Sequence, residues 1–278
     1  MIPEHKKEKC RQLRKQGFSL GRIIKITKLP KTTVYKQIKN IEFSKEAKGV
    51  FEQYHKKADT LARKQRRGHC WKGRVVLKPA RWSSDLIYII SHFWFDGRVT
   101  RNYCHYYNTS TKQVRKMKKY IKSIFGLETM IRIRKNNVKR IGYHYVELGE
   151  YVIRKIKELQ KYIKVASLEE KRIFLKSFFD DEGCIYFNSK YRKIRGYQHS
   201  KKILKLIQGL LKEFGIEGKI DKRYTEICIS QKPNLIKFQK EINFSPGIYI
   251  NPNRKNGIWK KKIEKRKILE KAINSYMI

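Results

Sequence analysis

The sequence predicts an α+β protein made of two similar αββαββα halves, preceded by an all-α domain. Three observations point there. Two acid–glycine pairs, Asp96-Gly97 and Glu182-Gly183, each end an apolar helical stretch. Two matching tetrads, Phe125-Gly126-Leu127-Glu128 and Phe214-Gly215-Ile216-Glu217, each close an amphipathic helix further on. The acids stand 86 residues apart and the tetrad phenylalanines 89, so the landmarks mark an internal duplication with a slightly longer hairpin in the second half. Ahead of both halves, the first forty or so residues carry only short helical patterns.

Those patterns come first in the chain. Residues 6–15 form a charged helix with Cys10 and Leu13 on one face, and Gly17 breaks it. Ser19 is a good N-cap for a second helix, whose apolar face is Leu20, Ile23, Ile24 and Ile26. Residues 27–30 turn, and a third helix starts at Lys31 with Val34, Ile38 and Ile41 spaced near four. This order resembles the helix-turn-helix domains of resolvases and many regulators, where the last helix enters the major groove. The resemblance implies base-reading roles for Lys31, Thr32, Thr33, Tyr35 and Lys36 in a domain of residues 1–43. A small protein-interaction module is the alternative.

Residues 44–80 read as a basic linker. Residues 45–67 suit a long solvated helix ending in the cluster Arg63-Lys64-Gln65-Arg66-Arg67, after which Gly68, Gly73 and Pro79 break regularity. The stretch either lies along phosphates or is a solvated charged face.

The first repeat, residues 81–165, opens with Ser83-Ser84-Asp85 capping a helix through Leu86, Ile89, Ile90 and Phe93 to Asp96. The second, residues 166–278, opens with the capping box Ser167-Leu168-Glu169-Glu170 and runs to Glu182. Two strand-like runs follow each glycine, holding Val99, Tyr103, His105 and Tyr107 in one half and Ile185, Phe187, Ile194 and Tyr197 in the other. The amphipathic helices carry Val114, Met117, Ile121, Ile124 and Phe125, then Ile203, Leu206, Ile207, Leu210, Leu211 and Phe214. Gly126 and Gly215 are natural C-caps. Further strands are expected over 130–134 and 138–147, turning at Asn136-Asn137, and over 218–222 and 224–230. Helices over 151–163 and 234–242 close the units.

Charge narrows the function. Lys and Arg total 68 against 24 Asp and Glu, a formal net charge of +44. A compact body so charged repels itself, and a polyanion relieves the repulsion with counterion release. Nucleic acid is therefore the expected partner, and nothing suggests a membrane: no apolar run nears the roughly 20 residues a spanning helix needs. The start lacks the apolar stretch of a secretory signal, so a soluble, cytoplasmic protein is expected. Cys10, Cys70, Cys104, Cys184 and Cys228 are scattered and odd in number, which supports reduced thiols rather than a zinc site or disulfide framework. The adjacent pairs His69-Cys70 and Cys104-His105 have poor spacing for a shared metal.

Two helices packed side by side need small residues where backbones meet, and Ser91 and Ser177 hold corresponding positions. Each helix then ends on an acid and a glycine, the glycine permitting a left-handed turn into the next strand. Pairing the halves brings Asp96 and Glu182 together. Carboxylates are disfavoured at helix C-termini and repel each other, an arrangement that makes sense around a divalent cation. Mg²⁺ suits carboxylate, water and phosphate oxygens, and metals promote phosphodiester hydrolysis.

The two stretches Ile89-Ile90-Ser91-His92-Phe93-Trp94-Phe95-Asp96-Gly97 and Leu175-Lys176-Ser177-Phe178-Phe179-Asp180-Asp181-Glu182-Gly183 resemble the paired motifs of LAGLIDADG homing endonucleases. In the first, Trp94 and Phe95 replace the usual polar-small pair. The resemblance spans roughly residues 81–250. It implies a two-repeat, monomeric double-strand DNA endonuclease with internal pseudo-twofold symmetry. Asp96 and Glu182 would be its catalytic, metal-binding acids. It also implies a long, weakly palindromic target and staggered cuts across the minor groove. Asp180 would be structural and Asp181 would face away. The strands would form a curved sheet over the duplex, with Arg98, Arg101, Arg132, Arg134, Lys139, Lys190, Arg192, Arg195, Lys219, Lys222 and Arg223 on phosphates or base edges. Lys219 and Lys222 lie where members often carry a basic residue near the scissile phosphate. Two other readings remain open: a DNA-binding regulator with a decayed nuclease fold, and an intron maturase that binds folded RNA.

Overall fold

The computed structural model describes residues 2–66, 76–252 and 259–276. Arg67, Gly68, His69, Cys70 and Gly73 lie outside the described residues. The chain divides into two units, Met1–Gly68 and His69–Ile278.

The first unit is all-α: α1 (Glu4–Lys15), α2 (Leu20–Thr27), α3 (Lys31–Ile38) and α4 (Lys45–Arg66). Ser19 caps α2 by accepting from the Arg22 N–H, and Lys28 takes a left-handed φ of 55° that turns the chain toward α3. Cys10, Ile23, Leu29, Val34 and Ile38 form a core of their own. That packing leaves Lys31, Thr32, Tyr35 and Lys36 exposed along α3 and Thr33 half-buried.

The second unit repeats one pattern twice. The first pass is α5 (Ser84–Phe95), β1 (Gly97–Val99), β2 (Cys104–Asn108), α6 (Thr111–Phe125), β3 (Arg132–Ile133), β4 (Lys139–Tyr143) and α7 (Val146–Tyr162). The second is α8 (Leu168–Glu182), β5 (Gly183–Phe187), β6 (Arg192–Tyr197), α9 (Lys201–Glu213), β7 (Gly218–Asp221), β8 (Glu226–Ser230) and α10 (Lys232–Glu241). Each pass makes a four-stranded antiparallel sheet, ordered β1-β2-β4-β3 and β5-β6-β8-β7. The predicted α+β class and αββαββα order therefore hold.

Local signals act as expected. Ser83, Ser110 and Ser200 cap their helices, and Ser167 forms the full capping box with Glu170. Gly126 and Gly215 end α6 and α9 at φ of 67° and 65°. Asn136 and Asn137 both take a left-handed φ of 58° at the predicted turn.

Three features differ from the sequence reading. The strand expected through residue 147 stops at Tyr143, and α7 begins at Val146 rather than near 151. Tyr143 and Tyr145 mimic strand alternation, but Leu148, Tyr151, Val152, Lys155 and Leu159 bury at helical spacing. Gly149 lets that early turn close on the β1–β2 connection: a Cβ there would sit 2.3 Å from the Thr100 carbonyl oxygen. A further helix, α11 (Lys265–Asn274), follows the second repeat and buries Ile268, Leu269, Ala272 and Ile273. Gly97 and Gly183 also take no left-handed turn, since neither is among the positive-φ glycines and Gly183 has φ −84°. Their need is steric, because a Cβ at either would lie 2.2 Å from the carbonyl oxygen of Phe93 or Phe179.

Helices α5 and α8 pack along each other at the centre of the core. Ser91 and Ser177 are both buried there, as small residues at a close contact should be. Trp94 and Phe95 stack on each other and bear on Phe174, and Phe95 also meets Phe178 edge-on at 5.2 Å. The aromatic pair thus serves helix packing. Among the described residues, no helix is long and apolar enough to cross a membrane. Cys10, Cys104, Cys184 and Cys228 are unbridged.

Candidate active site and nucleic-acid interface

Asp96 and Glu182 stand at the matching ends of α5 and α8, each followed by its steric glycine. Burial and the charge of Asp181 push the Asp96 carboxyl up to about 8. Burial and the charge of Asp96 push Glu182 up to about 7. The charge of Asp96 thus bears on Glu182 across the helix pair.

Asp181 corrects the reading. It does not face away: its side chain is fully buried and points across the helix interface into the first repeat. Its Oδ2 lies 2.6 Å from His92 Nδ1, and its Oδ1 accepts from Tyr106 Oη at 3.3 Å and Asn108 Nδ2 at 3.4 Å. Gln113 Nε2 donates to His92 Nε2 at 2.6 Å, which leaves the proton of a neutral imidazole on Nδ1, directed at Asp181. Burial holds His92 down at about 4, consistent with that neutral form. Asn108 bridges the halves: its amide also reaches Asp96 Oδ2 at 3.4 Å, while its carbonyl oxygen accepts from the Ser110 N–H. The network orients the carboxylates from behind.

Asp180 is structural as expected on one oxygen, which accepts from the Ser245 N–H at 2.8 Å. Its Oδ2 is buried with no hydrogen-bond partner among the described residues. Lys265, the first residue of α11, is the component that sequence reasoning missed. Its side chain is buried, and its ammonium donates to the Asp180 carbonyl at 2.8 Å, capping the end of α8. Its charge reaches Asp96, Asp180, Asp181 and Glu182. A single Lys in a run of basic residues carries no sequence signal of such a place.

No cluster of three or more metal-ligating side chains occurs among the described residues. Two carboxylates that resist ionisation, beside an unpartnered carboxylate oxygen, still fit a hard cation that takes its other ligands from water and phosphate. Asp96 and Glu182 would hold it.

The raised carboxyls fix a pH dependence. Each binds a proton in the folded chain where the unfolded chain, with ordinary carboxyl values of 3.8 and 4.5, has lost it. Stability from these groups is present at low pH and is lost as pH rises through about 7 and about 8. Asp180 and Asp181, also raised by burial, act in the same sense. Without divalent cations, melting temperature should fall by several degrees between about pH 5 and about pH 9. An Asp96→Asn, Glu182→Gln double variant should fall much less. Parallel curves for the two proteins would show that these carboxyls ionise freely.

Each sheet has one face covered by helices and one open. On the first, Cys104, Tyr106, Ile141 and Tyr143 point into the core. Register places Arg98 beside His105, and Tyr107 beside Arg140, whose other neighbour is Arg132, on the face opposite the core. Arg132 and Arg134 are exposed. Tyr107 and Arg140 are half-buried on the same face, with His105 buried among its neighbours there, and only the pairing register reveals them. His105 Nε2 lies 3.2 Å from His144 Nε2, its Nδ1 lies 3.2 Å from Tyr107 Oη, and Tyr103 stacks on its ring. On the second sheet, Arg195, Cys184, Cys228 and Lys219 form an open row, with Lys193 in the next.

Several expected contacts are placed otherwise. Lys139 is buried, its ammonium on the Thr109 carbonyl at 2.9 Å, because it shares the covered face with Ile141 and Tyr143. Arg192 shares its face with buried Ile194 and bonds Ser275, so it ties the sheet to the end of α11. Arg195 is held by Glu226 and Arg101 by Glu150. Lys190, Lys222 and Arg223 are exposed in the hairpin turns.

Among curated proteins, none matches the chain. Of solved structures, mesophilic variants of the homing endonuclease I-DmoI align at 14% identity with a TM-score of 0.45, over 59% of this chain and 91% of that one. I-DmoI in complex with DNA and Mn aligns at 15% and 0.45, over 57% and 96%. Full-length DUF199/WhiA from Thermatoga maritima aligns at 13% and 0.47, over 72% and 63%. Residues 169–243, from the start of α8 to just past α10, match the family model described as a LAGLIDADG-like domain.

Proposed function

We propose that this chain binds double-stranded DNA across the open faces of its two sheets and hydrolyses one phosphodiester on each strand, as a monomeric, homing-endonuclease-like enzyme. What supports this reading is that α5 and α8 pack together and each terminates at an acid followed by glycine, in so basic a chain. A bound Mg²⁺ or similar cation supplies activation of water and neutralisation of the leaving oxygen. Asp96 and Glu182 hold it, Asn108 orients Asp96, and the Asp181–His92–Gln113 chain keeps the helix ends in register. Arg98, Arg132, Arg134, Arg140, Lys193 and Lys219 supply phosphate and base contacts. The test is selection of cleaved sequences from a randomised duplex library with Mg²⁺. A recovered motif supports the reading; duplex binding with no cleavage in Mg²⁺ or Mn²⁺ overturns it.

Lys265 favours a second reading. A resident ammonium already offsets the carboxylates, which is what a non-catalytic DNA-holding protein would need to keep this fold without metal. The same assay separates the two.

The N-terminal unit is read as a second DNA-binding head of helix-turn-helix type, with Lys31, Thr32, Thr33, Tyr35 and Lys36 toward the groove. Its separate core supports removing residues 1–68 as a unit. Removal should weaken binding to a long duplex roughly ten- to a hundredfold, with little change on a duplex trimmed to the core footprint. Equal affinity of both proteins for the long duplex would exclude a second head.

A further inference from the structure

Helices α7 and α9 border a groove on the covered side of the two sheets, away from the open faces. Its floor is the half-buried pair Ile203 and Leu206, at i and i+3 of α9, with Leu210 buried beneath at i+7. Its rims are lysines: Lys157, Lys161 and Lys164 along α7 and the turn after it, and Lys202 and Lys205 on α9. All five are exposed, and none makes an ion pair among the described residues. Nearby acids are engaged elsewhere, Glu158 with Lys155 and Glu213 with Lys171. Gly209 lies inside α9 and also lines the groove, where a Cβ would meet nothing within 4 Å. Glycine within a helix is destabilising relative to alanine, and no close approach inside this chain requires it.

We propose that this groove docks an acidic amphipathic helix of a partner protein. Such a helix presents apolar anchors at i, i+3 or i+4, and i+7, with carboxylates on both flanks, which is the complement of this floor and these rims. A phosphate backbone would engage the lysines but leave the exposed parts of Ile203 and Leu206 uncovered. A second copy of a chain with net charge +44 would be repelled. The bare backbone at Gly209 leaves room for an anchor side chain. The inference is independent of DNA cleavage.

The test uses the full-length protein and two synthetic peptides of about 20 residues, long enough to form several helical turns. One places Leu at i, i+3 and i+7 between flanking Glu; the other has the same composition scrambled. The patterned peptide should bind at least about tenfold more tightly. The ratio should persist in about 0.5 M salt, where charge alone is screened. Gly209→Trp, which fills the groove, should remove it. Should that variant unfold, the exposed Lys157→Glu, Lys161→Glu pair should lower affinity for the patterned peptide by a similar factor. Equal binding of the two peptides, or a preference that survives both variants, overturns the proposal. So does displacement of the patterned peptide by a duplex oligonucleotide, which would make the groove a phosphate-binding surface.

Discussion

Asp96→Asn and Glu182→Gln should each lower cleavage by at least about a hundredfold while leaving duplex affinity within about threefold. The amides keep the shape of the acids, and Asn at 96 can still accept from Asn108. What they lose is the negative charge that holds a cation where the two helices end. Because both acids serve one site, the double variant should be little worse than either single one. Single-turnover cleavage and binding isotherms on the same duplex measure this. Parental cutting by both single variants would place the chemistry elsewhere in the chain. The raised carboxyls add a second readout: Asp96→Asn should be more stable than the parent above about pH 8, because the parent must then ionise a buried acid.

Lys265→Met should be the most destabilising of the substitutions considered. It removes an ammonium that caps α8 and offsets four carboxyls, and leaves buried charge uncompensated. Losing one partner of such a buried arrangement costs about 3–5 kcal/mol, reduced here because the carboxyls can protonate instead. Melting temperature should therefore fall most at high pH and least near about pH 5. Mg²⁺ should restore part of the loss, since a cation at Asp96 and Glu182 replaces the missing charge. Denaturation of parent and variant across pH, with and without Mg²⁺, decides the point. A pH-independent loss that Mg²⁺ leaves untouched would reduce Lys265 to packing.

Much of this molecule is legible along the chain, because its signals are local. Ser83, Ser110, Ser167 and Ser200 mark helix starts through hydrogen bonds that span three residues, and Gly126 and Gly215 end helices by a backbone conformation of their own. The duplicated Asp96 and Glu182 are also visible, since each precedes the glycine at the end of its helix. The rest depends on groups far apart in sequence. Which face of a strand is open follows from register, so of two adjacent cations Lys139 is buried and Arg140 lies on the opposite face. Asp181 and His92 are 89 residues apart and meet only because α5 packs on α8. Lys265 reaches the acids from a helix beyond α10, in a lysine-rich segment where nothing singles it out. Composition and periodicity therefore determined the elements of the two repeats and their order, with the β4–α7 boundary displaced and α11 missed. Tertiary packing alone decided which side chains surround Asp96 and Glu182, because burial and charge compensation act through space, not along the chain.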